Sequence, residues 1–163
     1  MSKTTSNKNA YGQKATELRS LSPLDTERIG SEMAKKVRPG DIICLIGRLG
    51  SGKTTFVKGF ARGFGVKSPV RSSSFMLVNE YKGAKGIKIY HMDLYRLMKK
   101  DFEGLGLEEY LYGGKGVCVI EWADKIVRPV SAPFWEISFD WTGENSRAIA
   151  VRERTVIDES AGH

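Results

Sequence analysis

Residues 47–54 read Gly47-Arg48-Leu49-Gly50-Ser51-Gly52-Lys53-Thr54. A glycine, four residues, then Gly-Lys and threonine make up the pattern of a phosphate-binding loop. Glycines let the backbone curl until its N–H groups converge on a phosphate chain, and the next helix points its positive dipole end there. In this pattern Lys53 reaches the β- and γ-phosphates, and the Thr54 hydroxyl holds Mg²⁺. Residues 47–55, which include Thr55 directly after the motif, are therefore predicted to bind a nucleoside triphosphate and its metal.

The segments on both sides of the loop have the pattern that the motif requires. Residues 41–46 are a short apolar run with β-branched side chains, which indicates a buried strand. The apolar residues after the loop recur with helical spacing: Phe56, Val57, Phe60, Ala61 and Phe64. A strand, a glycine-rich loop and an amphipathic helix are the context of a functional phosphate loop, so a chance match is disfavoured.

The remaining patterns predict a single α/β domain. We expect the P-loop NTPase type, a three-layer α/β/α sandwich whose mixed sheet joins a parallel core to antiparallel strands. Further elements are a helix begun by Asp25 or Thr26 and ended by Pro39-Gly40, a hairpin over 75–93, a helix over 101–112, a buried strand over 117–120, and antiparallel strands over 135–141 and 147–157. The domain is predicted to span 21–157, between a flexible basic tail over 1–20 and a short tail over 158–163.

Composition limits the cellular setting and the partners. The net charge is +7, which fits an RNA partner, an acidic protein partner or simply a solvated surface. No apolar run approaches the length of a membrane span, and the N-terminus lacks the apolar stretch of a secretory signal. Cys44 and Cys118 lie in apolar runs and form no metal-binding cluster, so we expect buried thiols in a reduced, cytoplasmic protein.

Two acidic residues follow strand-like runs and are candidates for metal binding. Glu121 comes after four apolar residues, where an acid at a strand end helps to hold Mg²⁺ in nucleotide-hydrolysing proteins. Asp93 follows the returning strand of the hairpin, but an isolated aspartate there is more typical of a helix cap or a turn. No Asn-Lys-x-Asp element for guanine is present, so ATP is favoured over GTP by elimination.

Several segments together resemble the bacterial TsaE (YjeE) family. The loop is similar to that family's Gly-Asp-Leu-Gly-Ala-Gly-Lys-Thr-Thr-Phe, and residues 72–81 resemble its Ser-Pro-Thr-Phe-Thr-Leu-Val segment. Residues 90–97, Tyr-His-Met-Asp-Leu-Tyr-Arg-Leu, differ at one position from Tyr-His-Phe-Asp-Leu-Tyr-Arg-Leu. Leu105–Tyr110 and Ile120–Ala123 match in the same order, so the resemblance covers about residues 22–151.

The resemblance implies an ATPase that serves the machinery placing threonylcarbamoyl on adenosine in tRNA. Its expected partners are homologues of TsaD and TsaB, and tRNA is reached indirectly through their complex. It also implies site roles: Asp93 near Mg²⁺, Glu121 as a metal or water-positioning ligand, and Ser74 beside the γ-phosphate. Trp122 matches a functionally important tryptophan, with nucleotide packing or partner contact as its role. Arg147 matches a family arginine that either reaches the phosphates or faces solvent.

The chain departs from the family pattern at three positions. Arg48 replaces an aspartate in the loop, Ser73-Ser74 replaces Pro-Thr, and Met76 replaces a threonine. The first two changes put the efficiency of hydrolysis in question more than nucleotide binding. Two alternative functions follow from the loop: a small phosphotransferase (kinase), and a nucleotide-dependent binding module with little hydrolysis.

Overall fold

The computed structural model describes residues 6–8, 14–71, 77–97, 104–123 and 133–154. These residues form eight strands: β1 Ser6–Lys8, β2 Lys14–Ser20, β3 Ile42–Gly47, β4 Val78–Lys82, β5 Lys88–Asp93, β6 Gly116–Glu121, β7 Phe134–Trp141 and β8 Arg147–Arg154. Three α-helices accompany them: α1 Pro23–Ala34, α2 Lys53–Gly63 and α3 Leu107–Tyr112. No helix in these ranges combines the length and the apolar character needed to cross a bilayer.

The strands of the described chain form one mixed sheet in the order β1-β2-β8-β7-β3-β6-β5-β4. Four central neighbours, β7, β3, β6 and β5, run parallel, while β4 and β8 pair antiparallel with β5 and β7. The expected hairpin is confirmed for β4 and β5. The prediction that 135–141 is an antiparallel strand is wrong for one edge, because β7 pairs parallel with β3. The antiparallel prediction is confirmed for the other edge, where β7 pairs with β8. The half-buried alternation on which it rested does not reveal the direction of a neighbouring strand.

Two hydrophobic cores lie on opposite faces of the sheet and make the structure three layers deep. Helices α1 and α2 cover one face, where Phe56 and Phe60 pack on Ile43, Leu45 and inward residues of neighbouring strands. On the other face, Leu107 of α3 packs against residues of β5 and β6. Every residue of β6 is buried, as expected for a central parallel strand covered on both faces. The predicted α/β sandwich is confirmed.

Helices α1 and α2 approach each other closely because glycines lie at their contact. A Cβ atom on Gly59 of α2 would collide with the backbone carbonyl of Glu27 in α1. A Cβ atom on Gly30 of α1 would meet the carbonyl oxygen of Phe56. The close approach matters for the site, since α2 begins at the phosphate loop.

Replacing Gly59 by alanine is expected to lower the free energy of unfolding by about 3 kcal/mol, because overpacking between backbones leaves no flexible atom to yield. Urea denaturation measures the change. Lys58→Ala, an exposed position on the same helix, is the control and should change stability little. Equal stability of Gly59→Ala and the wild type would show that the helices separate without cost.

The start of α1 differs from the sequence prediction. Ser22, not Asp25 or Thr26, is the N-cap, and its hydroxyl accepts a hydrogen bond from the Asp25 N–H at 3.1 Å. Asp25 in turn accepts from the Leu21 N–H at 3.1 Å. The arrangement is a variant of the capping box, in which the acid accepts from the residue before the N-cap instead of from the N-cap itself. Pro23 occupies the first helical position, where a backbone N–H would have no partner within the helix. The helix also ends at Ala34, earlier than Pro39-Gly40 indicated.

The predicted boundary at residue 21 is wrong, because Lys14–Ser20 forms strand β2 and pairs antiparallel with β8. The short strand Ser6–Lys8 pairs with β2. The polar composition of residues 1–20 suggested a flexible tail, yet Ala15 and Ser20 are buried.

The predicted helix over 101–112 is present from Leu107 to Tyr112, and residues 101–103 lie outside the described ranges.

Both cysteines are buried free thiols, as the sequence indicated. Burial raises the pKa of Cys44 to about 12, and burial likewise raises the pKa of Cys118 to about 12. The Cys118 thiol donates to the Tyr110 carbonyl at 2.9 Å. Because thiols with raised pKa values stay protonated, these residues act as core side chains rather than as nucleophiles.

Candidate nucleotide-binding site

The topology brings the loop and both acidic residues to one edge of the sheet. The phosphate loop follows β3, and Glu121 ends its parallel neighbour β6. Asp93 ends β5 directly opposite Glu121 in the parallel register. Because the carboxyl ends of parallel strands share an edge, ligands of α/β sheets bind there.

Two glycines give the loop its curl. Gly50 has a φ of +73° and Gly52 a φ of +103°, values that side chains with a Cβ atom rarely adopt. Gly52 directly precedes α2, so the loop leads straight into the helix N-terminus. The first N–H groups of a helix have no partner within the helix, and together with the helix dipole they favour an anion at this point.

Lys53 is the buried cation of the loop, with only 5% of its surface exposed. Its ammonium donates hydrogen bonds to the carbonyl oxygens of Gly47 and Arg48 at 2.6 and 2.8 Å. It also lies 4.0 Å from the centroid of the Trp122 ring. The loop backbone and an aromatic face thus hold a positive charge at the helix N-terminus, where the pattern predicts phosphate binding.

Thr54 and Glu121 lie in direct contact although 67 residues separate them in sequence. The Thr54 hydroxyl donates to Oε2 of Glu121 at 3.1 Å, and only 2% of Glu121 is exposed. Two of the three side chains predicted to bind the metal therefore converge where the start of α2 meets the end of β6.

The donor set fits Mg²⁺, which prefers oxygen ligands and usually combines one or two carboxylates with phosphate oxygens and water. The Thr54 hydroxyl and the Glu121 carboxylate supply such oxygens, and Oε1 of Glu121 has no hydrogen-bond partner in the described chain. Within the described ranges no group of three or more His, Cys, Asp and Glu could hold a metal ion by itself. A site shared with nucleotide phosphates agrees with both observations.

Asp93 lines the same cleft as Glu121 and also supports the turn that follows β5. Its Oδ1 accepts a hydrogen bond from the Tyr95 N–H at 3.0 Å. The turn interpretation from the sequence and the site interpretation from the resemblance are therefore compatible, because a carboxylate has a second oxygen that can face the cleft.

Trp122 adopts a strained backbone conformation directly after Glu121. Its φ is +60°, and a non-glycine residue in this region costs on the order of 1–3 kcal/mol. The conformation places the indole beside the Lys53 ammonium and 5.0 Å from the Tyr95 ring. The tryptophan thus forms part of the cleft wall, next to the residue predicted to reach the phosphates.

Arg147 and Trp141 brace the phosphate loop from the side of β7 and β8. The Arg147 guanidinium donates to the carbonyls of Ser51 and Gly50 at 3.1 and 3.2 Å. The Trp141 indole N–H donates to the same Gly50 carbonyl at 3.3 Å. Arg147 lines the cleft, so it both supports the loop and places positive charge at the cleft wall.

Replacing Arg147 by alanine is expected to weaken nucleotide binding about 10-fold, because a loop that must be ordered on binding loses affinity. Titration with a fluorescent ATP analogue measures the change. Arg152→Ala, which removes an ion-paired arginine from the same strand away from the loop, is the matched control. Equal affinities of the wild type and Arg147→Ala would show that the loop keeps its shape without this brace.

The loop, the strand ends and the brace enclose a cleft of about 270 Å³. Sequence reasoning found most of its lining but missed four residues, namely Pro23, Thr26, Tyr95 and Asn145. Tyr95 lies within the matched 90–97 segment, which is a signal that was available. Pro23 and Thr26 reach the cleft only because α1 packs against α2, and no local pattern reveals that.

Two predicted residues of the described chain do not line this cleft. Gly47 and Arg48 contribute carbonyl oxygens to Lys53 but do not line it. The exposed Arg48 side chain borders a neighbouring cavity of about 250 Å³ together with Asp140 and Trp141. Ser74 lies outside the described residues, as do Ser73 and Met76.

Comparisons with known proteins agree with the motifs. A family model described as "Threonylcarbamoyl adenosine biosynthesis protein TsaE" matches residues 20–149. The chain is 40% identical over 136 residues to the tRNA threonylcarbamoyladenosine biosynthesis protein TsaE of Bacillus subtilis, covering 83% of this chain and 84% of that protein. It is 38% identical over 133 residues to the same-named protein of Treponema pallidum, covering 81% and 96%.

A solved structure is similar as well. The crystal structure of YdiB from Bacillus subtilis superposes with a TM-score of 0.74 at 37% identity and covers 86% of each chain. The family match extends over most of the chain and includes the phosphate loop, both strand-end acids and the Glu121-Trp122 pair. The resemblance inferred from the motifs is thereby confirmed, and the chain belongs to the TsaE family of nucleotide-binding proteins.

Proposed function

We propose that this protein is the ATP-binding and ATP-hydrolysing subunit of the cytoplasmic system that forms threonylcarbamoyladenosine in tRNA. The observation that supports the ATPase part is the contact between Thr54 and Glu121 beside the phosphate loop, which joins two of the three predicted metal-binding side chains. Family membership and the names of the relatives support the tRNA part.

Each side chain of the site has a role in this proposal. Loop N–H groups and Lys53 bind the β- and γ-phosphates, and Thr54, Glu121 and Asp93 hold Mg²⁺. Once bound, Mg²⁺ supplies the positive charge that neutralises the phosphate oxygens. Glu121 also orients the attacking water, and Trp122 closes the wall beside the phosphates. Burial of Lys53 and Glu121 strengthens these interactions, since charges act more strongly where water is excluded.

Hydrolysis serves a partner complex in this proposal rather than the chemistry of the carbamoyl transfer. Homologues of TsaD and TsaB are the proposed partners, and tRNA is reached through them. The connector over 66–74, with Ser74 near its end, senses the γ-phosphate as switch loops do, so that affinity for the partners differs between the ATP and ADP states.

A combined binding and turnover experiment tests the proposal. Purified protein is used to capture TsaD and TsaB homologues with a non-hydrolysable ATP analogue and then with ADP, and phosphate release is measured with and without them. We expect slow hydrolysis alone, faster hydrolysis with the complex, and nucleotide-dependent capture. Absence of both ATP binding and capture would overturn the proposal. ATP consumption only with an added small-molecule acceptor would indicate a kinase, and capture without hydrolysis would indicate a binding module.

A further inference from the structure

A buried histidine lies behind the metal-binding carboxylate. The Nε2 atom of His91 lies 3.4 Å from Oε1 of Glu121, and the two side chains are 0% and 2% exposed. The other oxygen of Glu121, Oε2, accepts the Thr54 hydroxyl. Each oxygen of the carboxylate therefore has its own neighbour, and the two neighbours approach from different elements of the fold.

The sheet fixes this arrangement through its period of two. Ile89 and His91 of β5 point to the face covered by α1 and α2, as do Val117 and Val119 of β6. Glu121 is the next inward position on β6, and His91 lies beside Val119 in the parallel register. The backbone thus places an imidazole diagonally next to the carboxylate, and no loop rearrangement is needed.

Burying His91 beside Glu121 costs free energy of folding unless the two side chains serve a function. In the described part of the chain, neither ring nitrogen of His91 nor Oε1 of Glu121 has a hydrogen-bond partner. A buried polar group without a partner costs free energy, and in native proteins such groups are mostly satisfied or tied to function. Among the described residues, the Tyr81 ring lies 6.2 Å from the His91 ring and is tilted relative to it, and this loose contact does not by itself explain a histidine at this position.

We propose that His91 is a positioning residue, whose Nε2–H group, 3.4 Å from Oε1, holds the Glu121 carboxylate in the orientation that binds the metal. This inference rests on the proposed function of Glu121. A glutamate side chain has several rotatable bonds, and Thr54 restrains only one of its oxygens. A hydrogen bond to the second oxygen would fix the rotation of the carboxylate. Residues that hydrogen-bond to metal ligands commonly orient those ligands in this way.

Two substitutions separate positioning from packing. His91→Leu removes the donor and keeps an apolar side chain, whereas His91→Gln restores an N–H donor near the position of Nε2. Val119→Ala, a loss of bulk beside His91 on the same buried face, is the matched control for damage to the core. Each folded variant is saturated with a non-hydrolysable ATP analogue and titrated with Mn²⁺, and bound Mn²⁺ is followed by electron paramagnetic resonance.

Loss of a partner behind a metal ligand typically weakens metal affinity about 10- to 100-fold. We therefore expect His91→Leu to bind Mn²⁺ about 10-fold more weakly, His91→Gln to recover most of that loss, and Val119→Ala to match the wild type. Equal Mn²⁺ affinity in His91→Leu and wild type would overturn the inference, as would equal weakening in Val119→Ala. Failure of the wild type itself to bind Mn²⁺ with nucleotide would instead refute the proposed function.

If His91→Leu does not fold, the comparison of His91→Gln with a His91→Asn variant decides. Asparagine places its N–H group near Nδ1, on the other side of the ring, and so cannot reach Oε1 in the same way. Higher Mn²⁺ affinity in the Gln variant supports positioning, and equal affinities contradict it.

Discussion

Replacing Lys53 by alanine is expected to weaken ATP binding about 100-fold, which corresponds to about 2.7 kcal/mol. Hydrogen bonds to charged groups contribute about 1.5–3 kcal/mol each, and Lys53 is predicted to make such bonds to two phosphates. Isothermal titration calorimetry with a non-hydrolysable ATP analogue measures the affinity directly. The loss should exceed that of any other single loop substitution, since Lys53 is the buried cation at the helix N-terminus.

Lys58→Ala is the control, because Lys58 is an exposed lysine on the same helix and lies outside the cleft lining. Removing Lys53 also removes its hydrogen bonds to the Gly47 and Arg48 carbonyls, so circular dichroism must show that the variant is folded. ATP binding by folded Lys53→Ala with wild-type affinity would mean that the loop does not hold the phosphates.

Replacing Glu121 by glutamine is expected to slow hydrolysis by roughly 100-fold while nucleotide affinity falls much less, because removing one stabilising group from a preorganised site costs about 100- to 1000-fold in rate. Glutamine keeps the shape and one oxygen, so the Thr54 hydroxyl retains an acceptor. Single-turnover formation of ADP measures the chemical step apart from product release.

Glu108→Gln serves as the control, since Glu108 is an exposed acid on α3. Comparing the rates of Glu121→Gln and Glu108→Gln shows whether Glu121 has the role proposed for it. A large rate loss in Glu121→Gln with preserved binding agrees with metal and water positioning, whereas an unchanged rate would show that Glu121 has been assigned the wrong role.

The sequence predicted where the phosphate loop and the strand-end acids lie better than it predicted the edges of the fold. Residues 47–55 and the acids at 93 and 121 carry their chemistry in local patterns, and strand ends in a parallel sheet must meet at one edge. The buried runs before the loop and before Glu121 therefore sufficed to bring Thr54 and Glu121 together. The residue types around each strand end and the parallel pairing of neighbouring strands determine where the loop and the acids lie.

The failures concern properties that depend on distant partners. Residues 14–20 have a polar composition typical of a tail, and only their pairing with β8 makes them a strand. The direction of β7 depends on β3, about 90 residues earlier in the chain, and alternation of side chains is the same for both directions.

Strand β2 has a consequence for the energetics of the site. In the β2–β8 register Ser20 lies opposite Arg147, and the Ser20 hydroxyl lies 2.7 Å from that of Thr26 in the cleft wall. No residue of Lys14–Ser20 lines the cleft. The last residue of β2 is nevertheless next to Arg147 and bonded to the wall of the nucleotide site, so we expect β2 and the site to open together as one cooperative unit. Amide hydrogens of β2 should therefore exchange with solvent more slowly once nucleotide is bound, although they never touch it.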